Sequence, residues 1–501
     1  MKNVFLLSWM IMIIFSFLFL NCQKPAEENV VLYPSPDDPT ISFRIWIKVG
    51  SQNDPPGKAG LAALTADMLC KGGTTKHSYK EIIELLYPMA AEIQSQVDKE
   101  MTVISGRVHK DNLNAYYEIF REVLLEPAFN DEDFQRLKTD RINFIENSLR
   151  YANDEELGKA ALSEFIYSGT PYEYFTFGRL TDLRNMQVDD VKNFYHTYYH
   201  QRNIVIGLGG GYPSQFVSRL VNDLKNLPEG EPFSPPKIEV MNINGMEVKI
   251  IEKPASATAI SFGFPITVLR GQDDYYALAV ANSWLGEHRN SSSHLYQVIR
   301  EARGLNYGDY SYIEHFPNGG SLQFPPPNVA RRQQFFEIWI RPVPNDARLF
   351  AFRAAVRELK KLVDNGLSEE EFELTRKFLK NYILHYAPTT MMKLGYAIDD
   401  KFYGISGSHL DLFRQALDKL TVQKVNQAIK KHLQYQNLKV VFVTPDAEKL
   451  KYMLLNNLPS PITYPTPKSE EILQEDQEIS VFPLEIHEDN ISIVPVQKMF
   501  E

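Results

Sequence analysis

Cysteine is nearly absent: Cys22 and Cys70 are the only two in 501 residues. An internal disulfide framework is therefore excluded, whatever the compartment. Excess positive charge is missing as well. Lys and Arg number 53 against 63 Asp and Glu, a formal net charge of −10, so no global basic field exists to hold a phosphate backbone and nucleic-acid binding is not expected. Low-complexity bias is also absent. The composition is 44% hydrophobic, 12% aromatic and 23% charged, which rules out a disordered, collagenous or coiled-coil chain. At roughly 150 residues per domain, the length predicts about three domains or two large ones.

Long hydrophobic runs are scarce too, with one exception at the front. Val4 to Leu20 is almost entirely apolar after Lys2, broken only by Ser8 and Ser16, and turns abruptly polar at Asn21-Cys22-Gln23-Lys24. Its length sits at the short end of a bilayer span, while its position and basic start suit an export signal. A Cys just after the apolar region resembles a bacterial lipoprotein signal, with Cys22 as the lipid-modified residue; the bulky Leu20-Asn21 before it departs from that pattern. The other reading is an uncleaved anchor helix. Either way the body is expected outside the cytoplasm, tethered to a membrane, on the periplasmic or exterior side.

Leu227-Pro228-Glu229-Gly230-Glu231-Pro232-Phe233-Ser234-Pro235-Pro236 can continue neither a helix nor a central strand and reads as a linker. Across it, three segment pairs recur in the same order. Ile41-Ser42-Phe43 answers Ile260-Ser261-Phe262, and Asn130-Asp131-Glu132-Asp133-Phe134 answers Ser368-Glu369-Glu370-Glu371-Phe372. Met186 to Val191 and Arg202 to Ile206 answer Leu420 to Val425 and Gln436 to Val440, at an ungapped offset of 234.

The expectation is a duplicated α+β unit, two α/β sandwich domains with helices segregated to one face. Its divisions are 1–22 (signal or anchor), 23–40 (tether), 41–226 (first domain), 227–237 (linker), 238–455 (second domain) and 456–501 (proline-rich, acidic tail, extended on the surface or partly disordered). Ser42 to Val49 reads as an edge-like strand and Val103 to Val108 as another. A helix to about Tyr151 carries Phe134, Leu137, Phe144 and Ile145 at apolar spacing, which Arg141 interrupts.

Three features invite a chemical reading. His196 and His200, four apart on an expected helix, could face one metal, but an exposed helix face is the plainer reading. Gly207-Leu208-Gly209-Gly210-Gly211 follows a strand, yet Pro213 and the lack of G-K-[ST] argue against a phosphate cradle, leaving a loop. Cys70 reads as a buried small hydrophobe.

Val49-Gly50-Ser51-Gln52-Asn53-Asp54-Pro55-Pro56-Gly57-Lys58-Ala59-Gly60-Leu61-Ala62 resembles the insulinase and pitrilysin family of inverted zincin metallopeptidases, which includes the mitochondrial processing peptidases. The resemblance continues through Lys71-Gly72-Gly73-Thr74, Pro171-Tyr172, Tyr198-Tyr199, Gly286, Ser292-Ser293-His294-Leu295 and Arg300 to Tyr307. It implies an H-x-x-E-H helix whose two His hold zinc and whose Glu deprotonates the attacking water. The corresponding positions here are Ala63, Ala66 and Asp67. The family's third ligand falls on or near Asn143, with Glu146 the nearest carboxylate. A catalytic zinc needs three protein ligands and an open position, so no metal or other cofactor is expected in this chain and it is expected to be inactive alone.

The resemblance also implies substrate-facing roles for Arg300 and Tyr307, donors suited to a developing oxyanion. By that comparison the chain is a non-catalytic, peptide-binding subunit of a heteromeric zinc peptidase, with zinc confined to a related partner. Extended peptide would add as a strand to a sheet edge. Two other readings stay open: a peptide-binding or scaffold protein with no proteolytic partner, and a hydrolase with an unusual metal site around Asp67.

Overall fold

The computed structural model describes residues 29–317 and 322–501. The apolar run 4–20 and Cys22 lie outside the described residues. Among the described residues, no helix is long and apolar enough to cross a membrane.

The first half runs β1 (Val30–Pro34), β2 (Thr40–Ile47), α1 (Leu61–Lys71), α2 (Tyr79–Leu86), β3 (Glu92–Val97), β4 (Thr102–His109), α3 (Leu113–Leu125), α4 (Asp131–Asn143), α5 (Asp154–Ile166), α6 (Leu180–Asn185), α7 (Val188–Tyr198), β5 (Ile204–Gly210) and α8 (Ser214–Leu224). The second runs β6 (Met246–Glu252), β7 (Ala257–Ile266), α9 (Asp273–Gly286), β8 (Asp309–Tyr312), β9 (Gln334–Pro344), α10 (Arg348–Asn365), α11 (Glu369–Tyr382), α12 (Thr390–Tyr403), α13 (His409–Lys419), α14 (Val422–His432), β10 (Leu438–Thr444), α15 (Ala447–Leu455), α16 (Glu470–Ser480) and β11 (Ile491–Pro495). The sheets are ordered β1-β5-β2-β4-β3 and β11-β6-β10-β7-β9-β8. Without β11 the orders superpose strand for strand. The senses agree as well: β1 with β5 and β6 with β10 are parallel, and the other three pairs in each sheet are antiparallel. The expected two-domain α+β duplication is thus the architecture observed.

Each half lends one helix to the other. α5, in the first half, lies on β7 and β10 of the second sheet, while α12, its counterpart, lies on β5, β1 and β2 of the first. Small residues permit the approach. A side chain at Gly207 in β5 would collide with the Arg44 carbonyl and with Ile398 of α12. The glycine run 207–211 is therefore mostly strand rather than loop, because these positions carry a packed helix.

The exchange also corrects the reading of β2. It lies between β5 and β4 at the centre of its sheet, not at an edge. Its alternation divides two buried faces: Ile41, Phe43, Ile45 and Ile47 enter the main core, while Trp46 packs with Ile398 and Phe402 of α12.

Three division limits shift. The tether contains β1, whose Val30–Pro34 pairs with β5. The linker continues without regular structure to Gly245, with Ile238 and Val240 packed on the first core. The tail is not extended throughout: α16 begins at the Ser469 cap, and β11 adds to the edge of the second sheet beside β6. Its carboxylates find buried cations, Arg303 with Glu475 at 2.7 Å and with Asp476 at 2.8 Å. Phe500 then returns to the first core, its carbonyl accepting from Leu180 N–H at 2.8 Å.

A buried ion pair crosses between the halves. Arg331 Nε and Nη2 donate to the two oxygens of Asp98 at 2.6 Å each. Burial pushes the Asp98 carboxyl up, but the charges of Arg331 and His315 outweigh it and hold the carboxyl at about 2. Removing one partner of such a pair strands a charge. Arg331→Met is expected to cost about 3–5 kcal/mol in urea unfolding at pH 7. Because Asp98 is held below its ordinary 3.8, its contribution is complete above that value and lost as pH falls toward 2. The deficit of the variant should therefore shrink over that acid window.

Candidate functional site

Helix α1 is set by the loop before it. Asp54 accepts from Gly60 N–H and Ala62 N–H at 2.7 Å each, which holds the helix start in place. From that start the helix delivers Ala63, Ala66 and Asp67 toward β3 and α4. Ala63 and Ala66 are buried and present methyl groups where the family's imidazole and base would stand.

Asp67 is engaged on both oxygens. Oδ2 accepts from Arg141 Nη2 at 2.6 Å; Oδ1 accepts from Ser95 Oγ at 2.9 Å and lies 3.0 Å from Lys71 Nζ. Burial pushes this carboxyl up, but the Arg141 and Lys71 charges and the Ser95 hydrogen bond outweigh it, so it sits below its usual range. Arg141, on α4, is itself buried and lies 5.1 Å from the Phe177 ring centroid. Its Nε and Nη1 have no hydrogen-bond partner. The sequence signal for Arg141 was its interruption of an apolar face, and only the packing of α4 against α1 shows what that interruption serves.

The third-ligand position does not converge. Asn143 follows Arg141 by two residues, about 200° around the helix, and is exposed. Glu146 turns instead to Arg184. Zinc does not fit this donor set: two methyl groups offer no lone pair, and Asp67 already has two cations. Among the described residues, no group of three His, Cys, Asp or Glu side chains could hold a metal ion.

Of the other candidates, His196 is exposed on α7, but His200 lies beyond the helix end in extended backbone and is buried. The two therefore share no helix face. Cys70 is buried on α1, where burial and then the Asp67 charge push its thiol well up. No reactive thiolate follows from that setting.

Arg300 and Tyr307 belong to the second half and look outward. Arg300 lies in the π-helical turn Tyr296–Glu301, pairs with Glu301 and stands 5.5 Å from the Tyr296 ring centroid. Gly304, at φ +69°, closes that turn by donating its N–H to Arg300 O at 2.7 Å. Tyr307 follows with 78% of its surface exposed. The other π-helical segment, Phe144–Ala152, carries Glu146. Such bulges frequently accompany functional sites.

The profile described as Insulinase (Peptidase family M16) matches residues 29–174, and that described as the Peptidase M16 inactive domain matches residues 185–379. A Bacillus subtilis relative described as an uncharacterized zinc protease, YmxG, is 21% identical over 81% of this chain and 93% of its own length. The Helicobacter pylori non-peptidase homolog YmxG is 21% identical over 83% and 90%. Among solved structures, the peptidase M16 inactive domain from Pseudomonas fluorescens has a TM-score of 0.72 at 23% identity, covering 83% of this chain and 95% of that one. A protease from Helicobacter pylori has a TM-score of 0.67 at 18% identity, covering 83% and 96%.

The Asp67 cluster makes a pH-dependent prediction. Asp67→Asn should cost about 1–3 kcal/mol at neutral pH, since Arg141 loses its buried counter-ion. Its folded-state value is depressed below 3.8, so the wild-type advantage is complete above that pH and disappears as acid protonates the carboxyl. Paired urea titrations across the acid range measure it.

Proposed function

This chain belongs to the insulinase (peptidase M16) family, and from that premise we propose that it is a catalytically inactive, peptide-binding subunit. It acts with a zinc-bearing chain of the same family, outside the cytoplasm. The observation that carries the proposal is the Asp67–Arg141 ion pair, with Lys71 beside it, at the place where the family holds its metal. A buried guanidinium satisfies the one carboxylate left on α1, and neither alanine can replace an imidazole or a base. On this reading the zinc belongs to the partner chain.

The outward placement of Arg300 and Tyr307 supports the rest. A guanidinium and a phenol held on a turn closed by Gly304 can donate to a carbonyl oxygen presented by another chain. The apolar run before Cys22 supports export, with membrane attachment through a lipid on Cys22 or through the run itself. The Helicobacter pylori relative described as a non-peptidase homolog is in keeping with an inactive member.

Two measurements test this reading. Elemental analysis of the purified chain should find zinc far below one per chain; stoichiometric zinc lost on Asp67→Ala would favour the unusual metal site instead. Mixed with an H-x-x-E-H relative from the same genome, the chain should raise cleavage of an unstructured peptide. Arg300→Ala and Tyr307→Phe should each lower that activity by ~10-fold or more, in the range of lost oxyanion donors. An assembled complex indifferent to both substitutions removes the role of this pair, and no gain on mixing leaves the scaffold reading.

A further inference from the structure

Residues 496–501 leave the second half and seat themselves in the first. β11 runs along the edge of the second sheet to Pro495, and the segment after it crosses to the π-helical turn Phe144–Ala152 and to the start of α6. Val496, Met499 and Phe500 are buried there in the first core, with the Phe500 ring centroid 5.3 Å from that of Phe175.

Three arginines from the first half converge on this segment. Arg150, itself buried, donates through Nε to the Met499 carbonyl at 2.9 Å and through Nη2 to Glu501 Oε2 at 3.1 Å. Arg179 Nε donates to the Glu501 main-chain oxygen and Arg184 Nη1 to Glu501 Oε1, each at 2.8 Å. Hydrogen bonds from Arg150 and Arg184 hold the Glu501 carboxyl below its usual range. The seat therefore reads an apolar residue followed by an acidic one: a ring enters beside Phe175, and guanidinium groups take the carbonyl and carboxylate that come with it.

The fit of the present occupant is imperfect. Phe500 takes φ +55°, a left-handed backbone that a bulky side chain rarely adopts. The Arg184–Glu501 pair is 46% and 36% exposed, and pairs of that kind contribute little. The seat also borders the vestigial centre. Phe177 lies between Phe175 and Arg141, 5.4 Å from the one ring and 5.1 Å from the other's guanidinium, and Arg184 pairs with Glu146 as well as with Glu501.

We propose that residues 496–501 form an exchangeable strap, this chain's own occupant of a docking site for an apolar-then-acidic segment of another protein chain. While the strap is seated the site is closed and the tail ties the second half to the first. A segment that makes the same contacts without the strained backbone displaces it. The inference needs neither a zinc-bearing partner nor the Arg300–Tyr307 pair, so it stands or falls separately from the proposed function.

Fluorescence polarisation tests it with the full chain and a fluorescein-labelled Ala-Ala-Ala-Met-Phe-Glu amide. The native strap competes at an effective concentration on the order of millimolar, so Phe500→Ala should bind this probe at least about 10-fold tighter than wild type. Glu501→Arg loosens the strap without touching the core; it should have the same effect and serves where Phe500→Ala fails to fold. In either background Arg184→Ala should weaken binding about 3-fold, the size of one exposed ion pair. Equal affinity of wild type and the loosened variants overturns the proposal, as does equal binding of a probe that ends in arginine in place of glutamate. Loosened variants that bind no probe overturn it too, since the strap is then a fixed part of the fold.

Discussion

Neither sheet of this protein is covered without the other half. α5 closes a face of the second sheet and α12 closes the matching face of the first. This reciprocal exchange buries β2 on both sides and demands glycine at 207, where any side chain meets a neighbouring backbone or Ile398. It also brings the β3–β4 turn against the irregular segment leading into β9, where Asp98 meets Arg331. The dehydration of two charges is offset there by a two-pronged fit, and that requirement of geometry fixes how the halves sit. Gln96 adds to it by donating to the carbonyls of Pro327 and Asn328 at 3.0 and 3.2 Å.

The vestigial centre follows from the same rule on buried charge. A carboxylate left alone on α1 would be driven to protonate. Arg141 and Lys71 supply the countercharge that a metal would have supplied, so the helix can keep Asp67 ionised without any ion. At this position the countercharge to Asp67 comes from the protein's own side chains, Arg141 and Lys71.

Several features were legible in the residues. The repeated segments and the linker disclose the duplication, since each repeated piece later occupies the same strand or helix position. The substitutions at 63, 66 and 67 are visible once Gly60-Leu61-Ala62 has set the register. Arg141 was visible as an exception to an apolar pattern, but its purpose was not, because the pattern reports which face is buried and not what faces it. The acidic stretch Ser469 to Glu478 misled in the opposite direction. Composition says solvated, yet Arg303 and Arg357 wait for it at positions more than 100 residues away in sequence.

The sequence alone determined the α+β duplication, the missing zinc ligands and the apolar run 4–20, because these depend on local periodicity and on residue identity at known spacing. Only the tertiary structure decided that β2 is central, that the glycine run is strand, that β1 and β11 complete sheet edges, and that Asp98 meets Arg331 across the two halves. Each of those depends on which distant surface comes to lie against a segment, and no local pattern carries that information.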